Sequence, residues 1–292
     1  MRIGLFCPAG NPFATPEYLN ALATGAEERS FHSLWVAEHV VLFDDYRSRY
    51  PYAADGRIPV GGEAGLLDPF QTLAFLAART RRIRLGTGIC LVPQRNPVYT
   101  AKDAATIDWL SGGRFDFGVG IGWLAEEFAA LGVPFEHRAA RCREYLEVMR
   151  RLWCDPVSEH AGEHYRLPAC RQYPKPVQHP HPPIHFGGES DAALRRVADL
   201  GQGWYPFSIE PETLAERLGV LERLLGARGR RRADVEISVC PYLRRPDLDL
   251  VKRYREVGVD QVVLLLLGAD VAALRRTLDE LTETIAVPAQ RL

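Results

Sequence analysis

The sequence predicts an α/β chain folded as a (β/α)8 barrel, and three observations predict it. Strand-like and helix-like segments alternate strictly, eight of each. Parallel strands need crossover connections, which the intervening helices supply. The length of 292 residues is long for an ordinary domain and normal for such a barrel. The run 261–267 is almost continuously aliphatic, the composition of a strand buried on both faces. A doubly wound open sheet is the alternative, because alternation alone does not close a sheet. No linker divides the chain, so one domain over 1–292 is expected.

Residues 2–7 form a short apolar strand. The helix over 16–30 places Leu19, Leu22, Ala23 and Ala26 at i, i+3, i+4 and i+7. A strand at 33–38 and a helix at 69–80 follow. Strand 83–92 leads into helix 98–110, and strand 114–119 into helix 138–153. Strand 183–186 precedes helix 191–200, which Ser190 or Asp191 can cap. A short strand at 203–206 leads to helix 211–227, with Leu214, Leu218, Leu221 and Leu225 on one side. Strand 235–240, helix 248–257 and strand 261–267 come next, and helix 271–285 closes the chain with Leu274, Leu278, Leu281 and Ile285 aligned.

Two long connections interrupt this pattern. Residues 40–68 follow the second strand and carry Tyr46, Tyr50, Tyr52 and several glycines. Residues 154–182 are rich in proline and histidine. Long loops in compact domains are usually functional or disordered. The first leaves the C-terminal end of a strand, where such barrels place their active sites. It reads as part of a substrate lid with an aromatic or apolar wall.

Composition removes several function classes. With 36 basic and 37 acidic residues the net charge is −1, so bulk charge favours neither nucleic acid nor an anionic membrane. The basic run 228–232 lies between a helix and a strand and reads as a solvated loop. Cys7, Cys90, Cys142, Cys154, Cys170 and Cys240 contain no C-x-x-C pair and suit a reducing compartment. The N-terminus has no signal-peptide layout and no apolar run reaches membrane-span length, so a cytoplasmic protein is expected.

Four constellations could carry chemistry. Glu38 and His39 end the second strand, an acid–base pair of which only one member enters a pocket directly, because adjacent strand residues face opposite ways. Glycines at 86 and 88, inside the third strand, mark a bulge or a close backbone approach. The fourth strand ends in Gly118, Gly120 and Gly122, followed by Trp123, Glu126 and Glu127. Acids at a helix start also complement the dipole, so these two read first as structural. Gly187, Gly188, Glu189 and Ser190 form a glycine turn into a helix whose free N–H groups can hold a phosphate. His179, His181 and His185 lie in a proline-rich run without a carboxylate at ligand spacing, so no metal is expected.

Taken together, these segments resemble the bacterial luciferase-like monooxygenase and coenzyme F-420-dependent oxidoreductase family. The most specific pieces are 85–89 (Leu-Gly-Thr-Gly-Ile), 93–97 (Pro-Gln-Arg-Asn-Pro), 111–114 (Ser-Gly-Gly-Arg), 118–123 and 186–188 (Phe-Gly-Gly). The resemblance implies a barrel that binds coenzyme F-420 or FMN at its C-terminal mouth and forms a homodimer. It implies a non-prolyl cis peptide at Gly88–Ile89 behind the cofactor ring. It assigns catalysis to His39 and Glu38. Cofactor contacts fall to His39, Thr87, Gly88, Ile89, Gly120, Ile121, Gly122, Trp123, Gly187, Gly188, Glu189 and Ser190. The small-then-aliphatic pair Gly88–Ile89 is similar to the deazaflavin branch, which implies hydride transfer with a small-molecule substrate. The alternatives are an FMN-dependent monooxygenase served by a separate flavin reductase, a flavin-binding protein without turnover, and a flavin-free barrel acting on a phosphorylated substrate.

Overall fold

The computed structural model describes residues 1–292. Its central strands are β1 (Arg2–Cys7), β2 (Ser33–Val36), β3 (Arg84–Thr87), β4 (Phe115–Gly120), β5 (Ile184–Gly187), β6 (Gly203–Tyr205), β7 (Glu236–Val239) and β8 (Gln261–Leu265). Each pairs in parallel with its sequence neighbours, and β8 returns to β1 in a register running from Arg2 opposite Gln261 to Phe6 opposite Leu265. A short continuation of β3, Cys90–Leu91, resumes pairing with β4 beyond the interruption at Gly88–Ile89. The sheet is therefore closed, which excludes the open-sheet alternative and leaves no free edge.

The surrounding helices are α1 (Pro16–Glu28), α2 (Pro69–Arg79), α3 (Pro97–Ser111), α4 (Ala125–Ala130), α5 (Arg138–Cys154), α6 (Asp191–Leu200), α7 (Pro211–Gly226), α8 (Leu248–Glu256) and α9 (Val271–Leu281). Their starts follow local chemistry. Thr15, Asp68, Asn96, Ser190, Asp247 and Asp270 each accept an N–H from the first turn, and proline opens α1, α2, α3 and α7. Helix α9 stops short of the expected 285 because the chain widens into a π-type turn over Thr282–Ala286.

Two elements add to the expected eight strands and eight helices. Helix α4 follows the β4 glycines, and an antiparallel hairpin of Ser158–Ala161 with Arg166–Cys170 occupies the connection after α5. Most hairpin side chains are exposed or half-buried, so no apolar period announced it. Residues 40–68 contain neither helix nor strand.

Strand alternation sorts the side chains. Ile3, Leu5, Leu34, Val36, Phe115, Phe117 and Val119 join the helices in a shell of 61 buried apolar residues, which makes this the main core. The intervening positions fill the barrel. At the lower, N-terminal end they are polar and mutually bonded. Ser33 Oγ donates to Gln261 Oε1 (2.7 Å), Trp35 Nε1 donates to Ser33 Oγ (2.8 Å), and Gln261 Nε2 donates to Ser238 Oγ (2.9 Å). Arg2 pairs with Glu236 (3.0 Å) and Arg84 with Asp116 (2.5 Å). Above them lies a layer of Phe6, Trp35, Tyr205, Cys240 and Val263.

Candidate active site

Above that layer the barrel opens into a cavity of about 380 Å³, within the range of small-molecule sites. Strand ends, the segment after β4, the 40–68 loop and the turns after β6 and β7 contribute its walls.

The glycines near the floor serve a side chain of the protein itself. A β-carbon on Gly120 would collide with Ile89 Cδ1, one on Gly187 would lie 2.7 Å from the same atom, and one on Gly118 would strike the Thr87 carbonyl. Gly118, Gly120 and Gly187 thus make room for the β3 interruption and for Ile89, which lines the cavity. The Gly88–Ile89 peptide is cis, as the resemblance implied.

His39 lines the cavity. Its Nδ1–H donates to Glu127 Oε2 at 2.9 Å, which leaves Nε2 for a ligand. Glu127 is 1% exposed, and its other oxygen accepts the N–H groups of Val40 (2.6 Å) and Val41 (3.4 Å). Beside it, Glu126 accepts the N–H groups of Arg47 (2.6 Å) and Ser48 (3.3 Å). The two acids at the start of α4 therefore pin the 40–68 loop at two points, a role that helix-dipole reasoning did not provide. Glu38 is engaged differently. One oxygen accepts from Arg95 Nε and the other from Leu91 N–H, each at 2.5 Å. Burial pushes its carboxyl above the usual range, and Arg95 and the Leu91 N–H oppose that. Arg95 also reaches Asp68, the cap of α2, at 2.8 Å.

An aromatic chain spans the loop side. The Trp123 ring meets His39, Tyr46 and Tyr50 edge-on at centroid distances of 5.8, 5.5 and 5.2 Å. Tyr50 meets Tyr52, Tyr52 meets Phe207 (4.9 Å), and Phe207 meets Tyr242 (4.5 Å). Within this apolar wall Glu189 accepts the Phe207 N–H at 2.8 Å and the Tyr52 hydroxyl at 3.4 Å. Burial raises its carboxyl to about 7. Tyr205 lies in the floor, fully buried, with no partner for its hydroxyl.

At another part of the wall Gly188 has φ +93°, a conformation that favours glycine. Ser190 caps α6 by accepting the Ala193 N–H at 3.2 Å. Arg196, one turn further on, also lines the cavity.

The structure brings together His39, Gly88, Ile89, Gly120, Ile121, Gly122, Trp123, Gly187, Gly188, Glu189 and Ser190 around one cavity. Thr87 stands apart. It is fully buried, its hydroxyl donates to the Gly118 carbonyl at 2.7 Å, and it does not line the cavity, because strand parity turns it away from Gly88. Glu38 touches the wall, but Arg95 and Leu91 occupy its oxygens, so the partner of His39 is Glu127. Glu127, Arg196, Tyr205, Phe207 and Tyr242 were not foreseen from the sequence. Only Glu127 carried a signal there, as one of two adjacent acids just after a glycine-rich strand end. No group of three or more histidine, cysteine or acidic side chains in the molecule could hold a metal.

The family model described as luciferase-like monooxygenase matches residues 1–283. A protein of Mycobacterium tuberculosis, named only as uncharacterized, is 32% identical over 264 residues, covering 90% of this chain and 91% of its own. Another protein of that organism, whose name ascribes to it a coenzyme F-420-dependent oxidoreductase activity, is 32% identical over 190 residues, 61% of this chain and 54% of its own. The solved structure of a monooxygenase from Streptomyces bottropensis superposes with a TM-score of 0.81 at 23% identity, covering 99% of this chain and 100% of that one, a likeness of fold. No helix is long and apolar enough to cross a membrane.

Proposed function

The chain belongs to the luciferase-like monooxygenase family, and from that premise we propose that it is a coenzyme F-420-dependent oxidoreductase acting on a small, apolar organic substrate. The observation that carries this reading is the His39–Glu127 pair at the wall of a largely apolar cavity. The residues present fit a flavin-type group. The cavity has the right scale, Tyr205 offers a buried hydroxyl without a partner, and the α6 N-terminus offers N–H groups to a phosphate. When bound, the deazaflavin supplies hydride chemistry, since carbon at its position 5 does not readily form an oxygen adduct.

The chain's own residues supply the rest. Glu127 holds the His39 ring and fixes the proton on Nδ1, so Nε2 can take a proton from the substrate heteroatom during oxidation or return it during reduction. Trp123, Tyr50 and Tyr52 line the cavity with packed rings, an apolar wall that would limit water beside a bound substrate. Gly187, Gly188 and Ser190 would hold the phosphate, and Ile89 would back the ring. The Gly88–Ile89 pair supports the deazaflavin over FMN. The fold likeness to a monooxygenase supports the second reading, an FMN-dependent monooxygenase with a separate reductase. As part of the proposal the protein is a homodimer, for which the exposed Tyr99, Trp109 and Leu110 of α3 offer an apolar face.

Fluorescence titration with coenzyme F-420 and, separately, FMN tests this. Tighter binding of coenzyme F-420, with hydride transfer in a substrate screen, is expected. Preference for FMN with oxygen consumption overturns it in favour of the monooxygenase. Tight binding without turnover on any substrate would make the protein a flavin carrier. Binding of neither would return the cavity to a flavin-free enzyme acting on a phosphorylated substrate.

A further inference from the structure

One buried charge at the mouth is answered by nothing in the protein. Arg196 is 8% exposed and lines the cavity with Gly188, Ser190 and Ala193. Its Nε has no hydrogen-bond partner. The charged groups acting on it are Cys142 and the guanidiniums of Arg143, Arg138 and Arg195, with no carboxylate among them. Other enclosed arginines are engaged: Arg84 by Asp116, Arg95 by Glu38 and Asp68, Arg141 by the carbonyls of Pro93 and Glu136. The nearest carboxyl in sequence that lines the cavity, Glu189, turns to the Phe207 N–H and Tyr52 instead.

Burying a cation without a partner is unfavourable, so such a group persists where a ligand completes it. Two further features sit beside it. Helix α6 begins five residues earlier at Asp191, with its first N–H groups free apart from the Ser190 cap. Arg138 donates to the Gly122 carbonyl on the cavity wall at 3.1 Å and adds a second positive group on that side.

We propose that Arg196 is the cation of an anion receptor, completed by the Gly188–Ser190 backbone and the start of α6, that takes the phosphate ester of the cofactor. This rests on the reading that the cavity holds a phosphorylated flavin or deazaflavin. Arg196 then sets the preference for phosphorylated over phosphate-free forms and leaves ring recognition to the aromatic wall.

The test uses two ligand pairs, FMN with riboflavin and coenzyme F-420 with its phosphate-free deazariboflavin, titrated into wild type, Arg196→Met and Arg196→Lys. The methionine variant is expected to weaken the phosphorylated member of each pair by about 10- to 100-fold, the value of a charge-assisted hydrogen bond, and to leave the phosphate-free member unchanged. Lysine recovers part of the loss, because it keeps the charge without the planar fork. In the ligand-free protein Arg196→Met raises the melting temperature, since an unpaired buried charge is removed. It also abolishes the rise that inorganic phosphate gives wild type. Equal loss for both members of a pair, or a lowered melting temperature in Arg196→Met, overturns the proposal. If no ring compound binds wild type, the cofactor reading fails alone. The phosphate-dependent rise, present in wild type and absent in Arg196→Met, then still supports the receptor, and its absence from wild type overturns it.

Discussion

At the lower end of the barrel the interior polar groups answer one another, whereas at the mouth Tyr205 Oη and Arg196 Nε line the cavity with no partner. The lower network runs from Trp35 through Ser33, Gln261 and Ser238 to Glu236 and Arg2. His185 Nδ1 is the exception there, held between Trp35 and Asp116. Buried polar atoms in folded proteins are nearly all satisfied. A satisfied cluster therefore closes the structure, and a group of orphans on one cavity marks where a ligand must supply the missing partners. Both ends are built from the same eight strands, and the difference lies in which chemistry their inward residues carry.

The contrast can be broken from either side. The largest effect is expected at the mouth. His39→Ala should lower turnover by about 10²- to 10⁴-fold, roughly 3–5 kcal/mol of activation free energy, with cofactor affinity changed far less. Equal turnover would remove His39 from the chemistry. At the lower end Asp116→Ala takes away the carboxylate paired with Arg84 and should cost about 3 kcal/mol in urea unfolding without altering cofactor affinity. An affinity loss there would dissolve the distinction between the two ends.

Glu189 sharpens the comparison, because it is a mouth residue with a stability consequence. Its folded carboxyl is raised to about 7 by burial, above its unfolded value, so the folded state binds the extra proton between the two. The stability this brings is present below the unfolded value and is lost as pH rises through about 7. Wild type should lose about 2 kcal/mol more than Glu189→Gln between pH 5 and pH 8 in denaturant titrations. Parallel pH profiles would place the carboxyl in the ordinary range. The smallest effect is expected for Ser238→Ala, which removes the hydroxyl to which Gln261 Nε2 donates and should cost about 1 kcal/mol.

Much of the barrel was legible because its signals are local. Capping residues and prolines mark most helix starts, and Leu214, Leu218, Leu221 and Leu225 announce α7 through spacing alone. The cavity lining was legible where backbone chemistry dominates, at Gly88, Gly122, Gly188 and Ser190. It was obscure where a role depends on a distant partner. Glu127 lies 88 positions from His39, so its adjacency to Glu126 suggested only a helix start. Arg196 sits within an amphipathic helix among other arginines, and only the fold shows that it faces the cavity with no carboxylate paired to it. Thr87 illustrates a different error. A motif read as a unit placed it at the ring, while strand parity sends it outward. Phe207 and Tyr242 enter from turns whose approach to the 40–68 loop no spacing rule encodes.

Glu126 and Glu127 grip the 40–68 loop through main-chain amides at Val40, Val41, Arg47 and Ser48. Such amides are common to every residue except proline, so these anchors are indifferent to the side chains they hold. The stretch beyond them can be exchanged for another of different length and lining while the His39 ring keeps its bearing. On the proposed function, catalytic competence and substrate choice would be separately inheritable, and a transplanted loop would carry a new specificity onto an unchanged His39–Glu127 pair.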